Sequence, residues 1–265
     1  MMEQTQGQEQ GGTTASKQGA DTQTQAYPNT DAADDMSRST TPVLVVTPHP
    51  DDAETGAGGT IVKWAKQGRK IVLVVCTNGD KGSSDPEMTS PKLAAIREVE
   101  QREAAKVLGV SEVVFLRHPD QRLSDTYELR EQISRQIKIH TPHTVLTIDP
   151  NRPYIRHEDH YVCGRVTLNC VFPYARDRMA FPEHNEEGLQ PHKVREVYMW
   201  GSLDPDTFLD VTDTFGAKLD ALSRHRSQVG QGWEQREARS RARYEEVGKR
   251  LGVTYAEAFK RIEVF

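Results

Sequence analysis

The stretch Val43–Gly59, which reads VLVVTPHPDDAETGAGG, combines a buried strand with a crowd of ionisable side chains. Its apolar run Val43–Thr47 predicts a strand, and the glycines after it predict a turn before a helix through Thr60–Lys66. A histidine and three carboxylates lie between the two: His49, Asp51, Asp52 and Glu54. The chain therefore gathers metal-binding and proton-carrying groups at the point where a strand is expected to end.

Short apolar strands alternate with helices along the rest of the chain. Further strands are predicted at Ile71–Cys76, Val113–Leu116, Thr144–Ile148 and Val194–Trp200. Further helices are predicted at Pro91–Leu108, Asp125–His140, Phe215–Ser227 and Gln235–Leu251. This alternation predicts an α/β fold with a mostly parallel sheet and helices on both faces.

Parallel sheets of this kind bind ligands beyond the carboxyl ends of their strands. Four loops of the chain meet that condition, and we treat them as candidate site loops: Pro48–Glu54, Thr77–Ser84, His118–Gln121 and Asp149–His160. Because strand ends meet at one edge of the sheet, side chains from these loops are expected to converge.

Composition and charge limit the classes of function. The 265 residues are 35% hydrophobic, which suits one large domain, expected over residues 39–265. Residues 1–38 are polar, contain six acids and two basic residues, and are expected to form a disordered tail. The tail accounts for most of the net charge of −5, so no basic bias points to nucleic acid or to an anionic membrane.

Cysteine usage and hydropathy indicate a compartment. The 3 cysteines include no Cys-x-x-Cys pair, which fits reduced thiols better than a disulfide framework. No apolar run approaches the roughly 18 residues of a membrane span, and the N-terminus lacks the pattern of a signal peptide. We therefore expect a cytoplasmic protein that acts on a small molecule. The sequence does not decide whether it forms a homo-oligomer.

The first site loop contains two adjacent aspartates that can have different roles. Pro50 fixes its own backbone and biases His49 away from helix, so the turn is stiff. Side chains that neighbour each other in such a turn diverge, so one of Asp51 and Asp52 can bind a metal while the other addresses a water. The plain alternative is a helix-capping aspartate beside an exposed histidine.

The last site loop supplies a second cluster. His157 and His160 stand three residues apart at the start of an apolar helical run, and hence on one face of that helix. One can bind metal while the other faces substrate, and Asp159 can orient an imidazole. The plain alternative is a polar helix start with incidental histidines.

Together the two loops offer His49, Asp52 and His160, which are two imidazoles and one carboxylate. Such a set is typical of catalytic zinc with an open coordination position, and it also accepts iron. Asp51 is then left over as a general base.

These residues match a known family. The chain resembles the PIG-L/LmbE-like metal-dependent deacetylases of N-acetylglucosamine conjugates over roughly Pro42 to Gln228. The family's two signatures occur in order, as Pro48–Glu54 (PHPDDAE) and His157–His160 (HEDH). Glu158 stands where the later signature usually has proline, a departure that touches no expected ligand. Weaker matches complete the resemblance: Thr77–Gly79, Arg97–Gly109, Pro119–Asp120 and His225–Gln228.

The resemblance implies a Rossmann-like fold and hydrolysis of an N-acetyl amide to acetate and a free amine. It implies zinc on His49, Asp52 and His160, with Asp51 as the base. Protonated His157, oriented by Asp159, is expected to stabilise the oxyanion. Arg97 and Asp120 match sugar-contacting positions of the family; their plain alternatives are a surface ion pair and a turn. Roles for Tyr154, His225 and Gln228 stay open.

Three other functions are weighed against this one. An amidase that cleaves thiol conjugates would use the same metal site with a different pocket. A nucleotide-binding or methyltransferase function, suggested by Gly56-x-Gly58-Gly59, is disfavoured because the spacing is not Gly-x-Gly-x-x-Gly and carboxylates in the loop repel phosphate. A metal-binding protein without catalysis is disfavoured because Asp51 and His157 accompany the ligands.

Overall fold

The computed structural model describes residues 40–154, 156–230 and 232–265. The polar segment 1–38, which was expected to be disordered, lies outside the described residues, so this expectation stays a prediction. Within the described part of the chain, no helix combines the length and the apolar character needed to cross a bilayer.

Seven strands form one mixed sheet in the order β3-β2-β1-β4-β5-β7-β6. Their bounds are β1 Val43–Thr47, β2 Ile71–Thr77, β3 Glu112–His118, β4 Thr144–Ile148, β5 Glu196–Trp200, β6 Thr207–Asp210 and β7 Ala256–Glu263. Strands β1 to β5 pair in parallel, and β7 runs antiparallel between β5 and β6. The predicted fold, mostly parallel and Rossmann-like, is confirmed.

The helices connect the strands and cover the sheet. They are α1 Asp52–Lys66, α2 Ser90–Leu108, α3 Tyr127–His140, α4 Glu158–Val171, α5 Pro182–Glu186, α6 Phe215–Ser223, α7 Arg226–Val229 and α8 Trp233–Lys249. The helix predicted over Phe215–Ser227 is divided, because α6 ends at Ser223 and α7 begins at Arg226.

Buried side chains form one apolar layer on each face of the sheet. Along β1, Val43 and Val45 pack into the layer that includes α1 and α2. Leu44 and Val46 point the other way, into the layer that includes α3 and α4. All four are buried, as expected for a central strand covered on both faces, and the layers hold the carboxyl end of β1 rigidly.

The glycines after β1 lie inside helix α1, whereas the sequence predicted a turn there. A Cβ on Gly56 would lie 2.2 Å from Trp200, and a Cβ on Gly59 would lie 2.7 Å from Val211. Each glycine weakens an isolated helix by about 1 kcal/mol, so local propensity favoured the turn. Close packing of α1 against its neighbours offsets that cost.

The strands β6 and β7 were not predicted, and a buried ion pair joins β7 to the helical layer. Lys218 of α6 donates to the carboxylate of Glu257 in β7 at 2.6 Å, and neither side chain is exposed. The same carboxylate accepts from the backbone N–H groups of Gly59 and Thr60 in α1, at 3.0 and 2.8 Å. One carboxylate therefore connects α1, α6 and β7.

Candidate active site

The two predicted signatures lie close together at the switch point of the sheet, where the strand order reverses. From β1 the chain proceeds to β2 and β3 on one side, and from β4 to β5 on the other, so β1 and β4 are neighbours at the switch point. The first signature follows β1, and the second begins α4 soon after β4. Ligands of doubly wound sheets bind in the crevice at such a point.

Asp51 has a strained backbone. Its φ of 96° places a residue with a side chain in the left-handed region at the N-cap of α1. The backbone N–H of Asp51 donates to Oε1 of Gln101 at 3.2 Å, and Arg97 donates to the carbonyl of Pro50 at 2.7 Å. Helix α2 thus holds the turn that directs Asp51 and Asp52 to different places.

Three side chains offer ligand atoms at metal-site spacing. Oδ2 of Asp52 lies 2.9 Å from Nδ1 of His49 and 3.2 Å from Nε2 of His160. Ligands on a tetrahedral zinc, with bonds of about 2.0–2.1 Å, lie about 3.3 Å apart. The donor chemistry of the set predicted from the sequence, His49, Asp52 and His160, suits a divalent cation, and so do both of these separations. His49, His157 and His160 also bring ligand atoms within 4.8 Å of one another, so the choice of Asp52 as the third ligand stays a prediction.

A second grouping includes the opposite nitrogen of His49. His49 also belongs to a set of potential ligands within 4.8 Å of one another, with Asp120, His157 and Asp159. Nε2 of His49 lies 3.1 Å from an oxygen of Asp120 and 3.1 Å from an oxygen of Asp159. A metal-bound histidine normally donates its other N–H to a carboxylate. This arrangement favours Nδ1 as the ligand and the two carboxylates as its support.

The carboxylate of Asp159 is held in place by backbone groups. It accepts from the N–H of Gln121 at 2.7 Å and of Leu123 at 3.1 Å, while it contacts His49. From the sequence, we expect Asp159 to orient His157. Instead, it is the backbone N–H of Asp159 that donates to Nδ1 of His157, at 3.2 Å. The side chain is directed at His49 because the loop after β3 supplies its other partners.

This contact sets the tautomer of His157. Because Nδ1 accepts a hydrogen bond, the proton of a neutral His157 ring lies on Nε2, which can donate to a substrate oxygen. Burial and the neighbouring positive charge of His49 lower the pKa of His157. The resemblance implies a protonated ring, but the neutral ring already carries the required donor.

The charges of the first loop are strongly coupled. Burial disfavours a charge on His49, but hydrogen bonds with Asp120, Asp159 and Asp52 outweigh it and raise the pKa of His49 to about 12. Burial also opposes ionisation of Asp52, yet hydrogen bonds with His160 and His49 hold the pKa of Asp52 well below its usual range. The metal-free site thus holds a proton on His49 beside an ionised Asp52.

Asp51 differs from its neighbour. Burial and the adjacent charge of Asp52 raise the pKa of Asp51 to about 6, against the opposing effect of Arg97. A carboxylate with a raised pKa accepts a proton more readily near neutral pH, which is what a general base requires.

Arg97 and Asp120 lie in the same cavity as the proposed base. This cavity, of about 190 Å³, is lined by His49, Asp51, Lys81, Gly82, Arg97, Asp120, Gln121, His157 and Gln228. Arg97 and Asp120 are buried, and their side chains approach to 3.8 Å. The burial of Arg97 excludes the surface ion pair that was its plain alternative.

A network of hydrogen bonds and an ion pair supports Asp51, and the sequence predicted only some of its members. Gln101 contacts the N–H of Asp51 and also donates to Glu54 at 2.6 Å, and His225 lies 3.6 Å from Glu54. Glu54 and His225 stood out in the sequence, but Gln101 did not. The available signal was its spacing of four residues from Arg97, which places both on one face of α2. Tyr154, at 95% exposed, projects into solvent.

The fold and the site define a doubly wound α/β protein with a candidate metal centre at its switch point. A model of the PIG-L family, described as GlcNAc-PI de-N-acetylase, matches residues 44–171. The chain is 34% identical to the diacetylchitobiose deacetylase of Thermococcus kodakarensis, over 82% of each chain. It therefore belongs to the PIG-L family of deacetylases, as its two signatures predicted.

A solved structure and a relative with a different name extend the comparison. The structure of N,N'-diacetylchitobiose deacetylase from Pyrococcus horikoshii with its inhibitor matches with a TM-score of 0.81 and 30% identity, over 88% of this chain and 90% of that one. A mycothiol S-conjugate amidase from Streptomyces coelicolor is 26% identical over 62% of each chain.

Proposed function

We propose that this protein is a metal-dependent hydrolase that removes the N-acetyl group from an N-acetylglucosamine-type conjugate. One observation carries the proposal. At the switch point, Asp51 lies beside the candidate ligand set and shares a cavity with His157, Arg97 and Asp120. The names of the relatives agree with this chemistry.

The cation would be held by His49, Asp52 and His160. When bound there, a divalent cation supplies Lewis acidity that polarises a carbonyl and lowers the pKa of a water. We propose zinc, with iron as the alternative, because two imidazoles and a carboxylate suit both. Elemental analysis of the purified protein distinguishes the two.

The chain's own residues carry the proton transfers. Asp51 takes a proton from the attacking water, and Nε2–H of His157 donates to the oxyanion that forms at the acetamide carbonyl. Asp51 then returns the proton to the departing nitrogen, so one water and one amide give acetate and a free amine. Arg97 and Asp120 bind the sugar on the amine side.

The test is a panel of N-acetylglucosamine conjugates, including diacetylchitobiose, incubated with the zinc-loaded protein. We expect release of acetate and free amine in equal amounts, abolished by a chelator and restored by zinc. Amides of thiol conjugates are assayed beside this panel, and an amidase would prefer them. If the zinc-loaded protein releases acetate from none of the conjugates, the proposal is wrong.

The three cysteines, Cys76, Cys163 and Cys170, are free and buried. Free thiols fit a reducing compartment, which supports the expectation that the enzyme acts in the cytoplasm.

A further inference from the structure

A second, larger cavity adjoins the candidate metal centre. It has a volume of about 350 Å³, and Asp52 and His160 contribute to its wall. The smaller cavity with Asp51 and His157 is bounded by α2 and by the loops that follow β2 and β3. The larger one is bounded by α8 and by residues at β5, β6 and β7. The two cavities therefore lie on opposite sides of β1 in the sheet order, with the candidate ligands between them.

Three buried aromatic side chains line the larger cavity: Trp200, Phe208 and Tyr244. Trp200 lies against Gly56, where any side chain would collide with its ring. The hydroxyl of Tyr244 donates to the carbonyl of Thr55. Both rings are thus fixed by helix α1, and they give the cavity a rigid apolar floor.

Three arginines also line this cavity: Arg152, Arg243 and Arg250. Arg250 lies over the ring of Phe208 at 5.9 Å, and Arg243 lies over Tyr244 at 5.8 Å. All three are exposed, and among the described residues none of them forms a salt bridge with a carboxylate, although Arg250 lies near enough to Glu246 to help lower the pKa of that carboxyl. Of the described residues that line the wall, Asp52 is the one acid, and it is assigned to the metal. The cavity therefore combines an apolar floor with three arginine side chains that form no salt bridge within the described residues.

The position of the larger cavity indicates which half of the substrate it binds. Arg97 and Asp120 line the smaller cavity, so the sugar on the nitrogen side of the amide occupies that cavity. With the carbonyl carbon at the metal centre, an acyl chain directed away from the sugar would run past Asp52 and His160, which line the larger cavity. An acetyl methyl group is about the size of a water, which takes about 30 Å³ of liquid volume, and would leave most of the space unfilled.

We propose that the larger cavity is an acyl site, and that the enzyme also hydrolyses N-acyl amino sugars whose acyl chain exceeds acetyl and ends in a carboxylate. The aromatic floor receives the methylene groups, and the arginines bind the terminal carboxylate. The reaction follows the same steps as the deacetylation. Water adds to the carbonyl, the C–N bond breaks, and a dicarboxylate and a free amine leave. This inference rests on the proposed function.

The test compares N-glutaryl-, N-pentanoyl- and N-acetylglucosamine with the zinc-loaded protein. Glutaryl and pentanoyl chains both have five carbons and differ in the terminal carboxylate. We expect kcat/KM for the glutaryl compound to exceed that for the pentanoyl compound by about tenfold or more, the worth of one charge-assisted hydrogen bond. The double variant Arg243→Gln/Arg250→Gln should lose this preference and keep its activity on N-acetylglucosamine.

Arg241→Gln is the matched control. Arg241 also lies on α8, but it pairs with Glu237 and does not line the cavity. It should retain the glutaryl preference. Calorimetric titration of free glutarate into the same proteins gives a readout that does not depend on turnover, with weaker binding expected only in the double variant.

The outcomes separate this inference from the proposed function. If N-acetylglucosamine is cleaved but the glutaryl compound shows no advantage, the acyl site is wrong and the deacetylase stands. The acyl site is also wrong if the control and the double variant behave alike. If none of the amides is cleaved, both proposals fail.

Discussion

At the residue scale, the site depends on two adjacent aspartates that do different things. Pro50 and the left-handed backbone of Asp51 turn the chain sharply, so Asp52 faces His49 and His160 while Asp51 faces the smaller cavity. Gln101 holds this turn by accepting the N–H of Asp51. A strained residue of this kind persists only where its surroundings over-determine it, and here α2 provides them.

His49 supplies a prediction about metal binding. With a pKa of about 12 in the metal-free protein, His49 is protonated at neutral pH, whereas a ligand must be deprotonated. Metal binding should therefore release close to one proton from His49, and affinity should rise with pH up to about tenfold per unit. Calorimetry of zinc binding in buffers of different ionisation enthalpy measures the release. No release at pH 7 would contradict His49 as a ligand.

At the element scale, helix α1 is shaped by what packs against it. Gly56→Ala should destabilise the protein by about 1–3 kcal/mol, because its Cβ would lie 2.2 Å from Trp200. Gly216→Ala in α6 is the control, since a Cβ there meets nothing within 4 Å. It should stabilise by about 0.4–1 kcal/mol. Denaturant unfolding measures both; stabilisation by both substitutions would show that the contact with Trp200 does not matter.

The same helix shows where sequence reasoning succeeds and where it stops. The apolar run Val43–Thr47 and the following signature were enough to predict the strand, the stiff turn around Pro50 and the candidate ligands. The prediction of a turn at the glycines was wrong. A glycine is needed in this helix because Trp200, which is distant in the sequence, packs against Gly56. Likewise, the partner of the Asp159 carboxylate depends on the loop after β3, which no local pattern reveals.

Strands β6 and β7 were missed for a related reason. Strand β6 is only 4 residues long, and β7 carries charges among its apolar residues. Their pairing with β5 is set by contacts across the sheet rather than by a strong local period. Once formed, they complete the wall of the larger cavity through Phe208 and Ala258.

At the scale of the whole molecule, the Lys218–Glu257 pair attaches the antiparallel edge of the sheet to the helical layer behind the site. Lys218→Met should leave the Glu257 carboxylate buried with only its remaining hydrogen bonds and destabilise the protein by about 3–5 kcal/mol. Thermal or denaturant unfolding measures this effect.

Lys249→Met is the control for that substitution. Lys249 is 67% exposed and pairs with Glu246 on the surface of α8. Its loss should change the free energy of unfolding by less than about 0.5 kcal/mol. Similar small effects of both substitutions would mean that the buried pair does not join the two parts of the fold.

The central claim is the division of labour between Asp51 and Asp52, and one paired measurement tests it most directly. Zinc content by elemental analysis and the rate of acetate release are compared for Asp51→Asn and Asp52→Asn. We predict that Asp51→Asn keeps its zinc and loses about 10²–10⁴ in rate, the usual worth of a general base. Asp52→Asn should lose zinc as well as rate. Near-full activity in Asp51→Asn, or unchanged zinc in Asp52→Asn, would contradict the account.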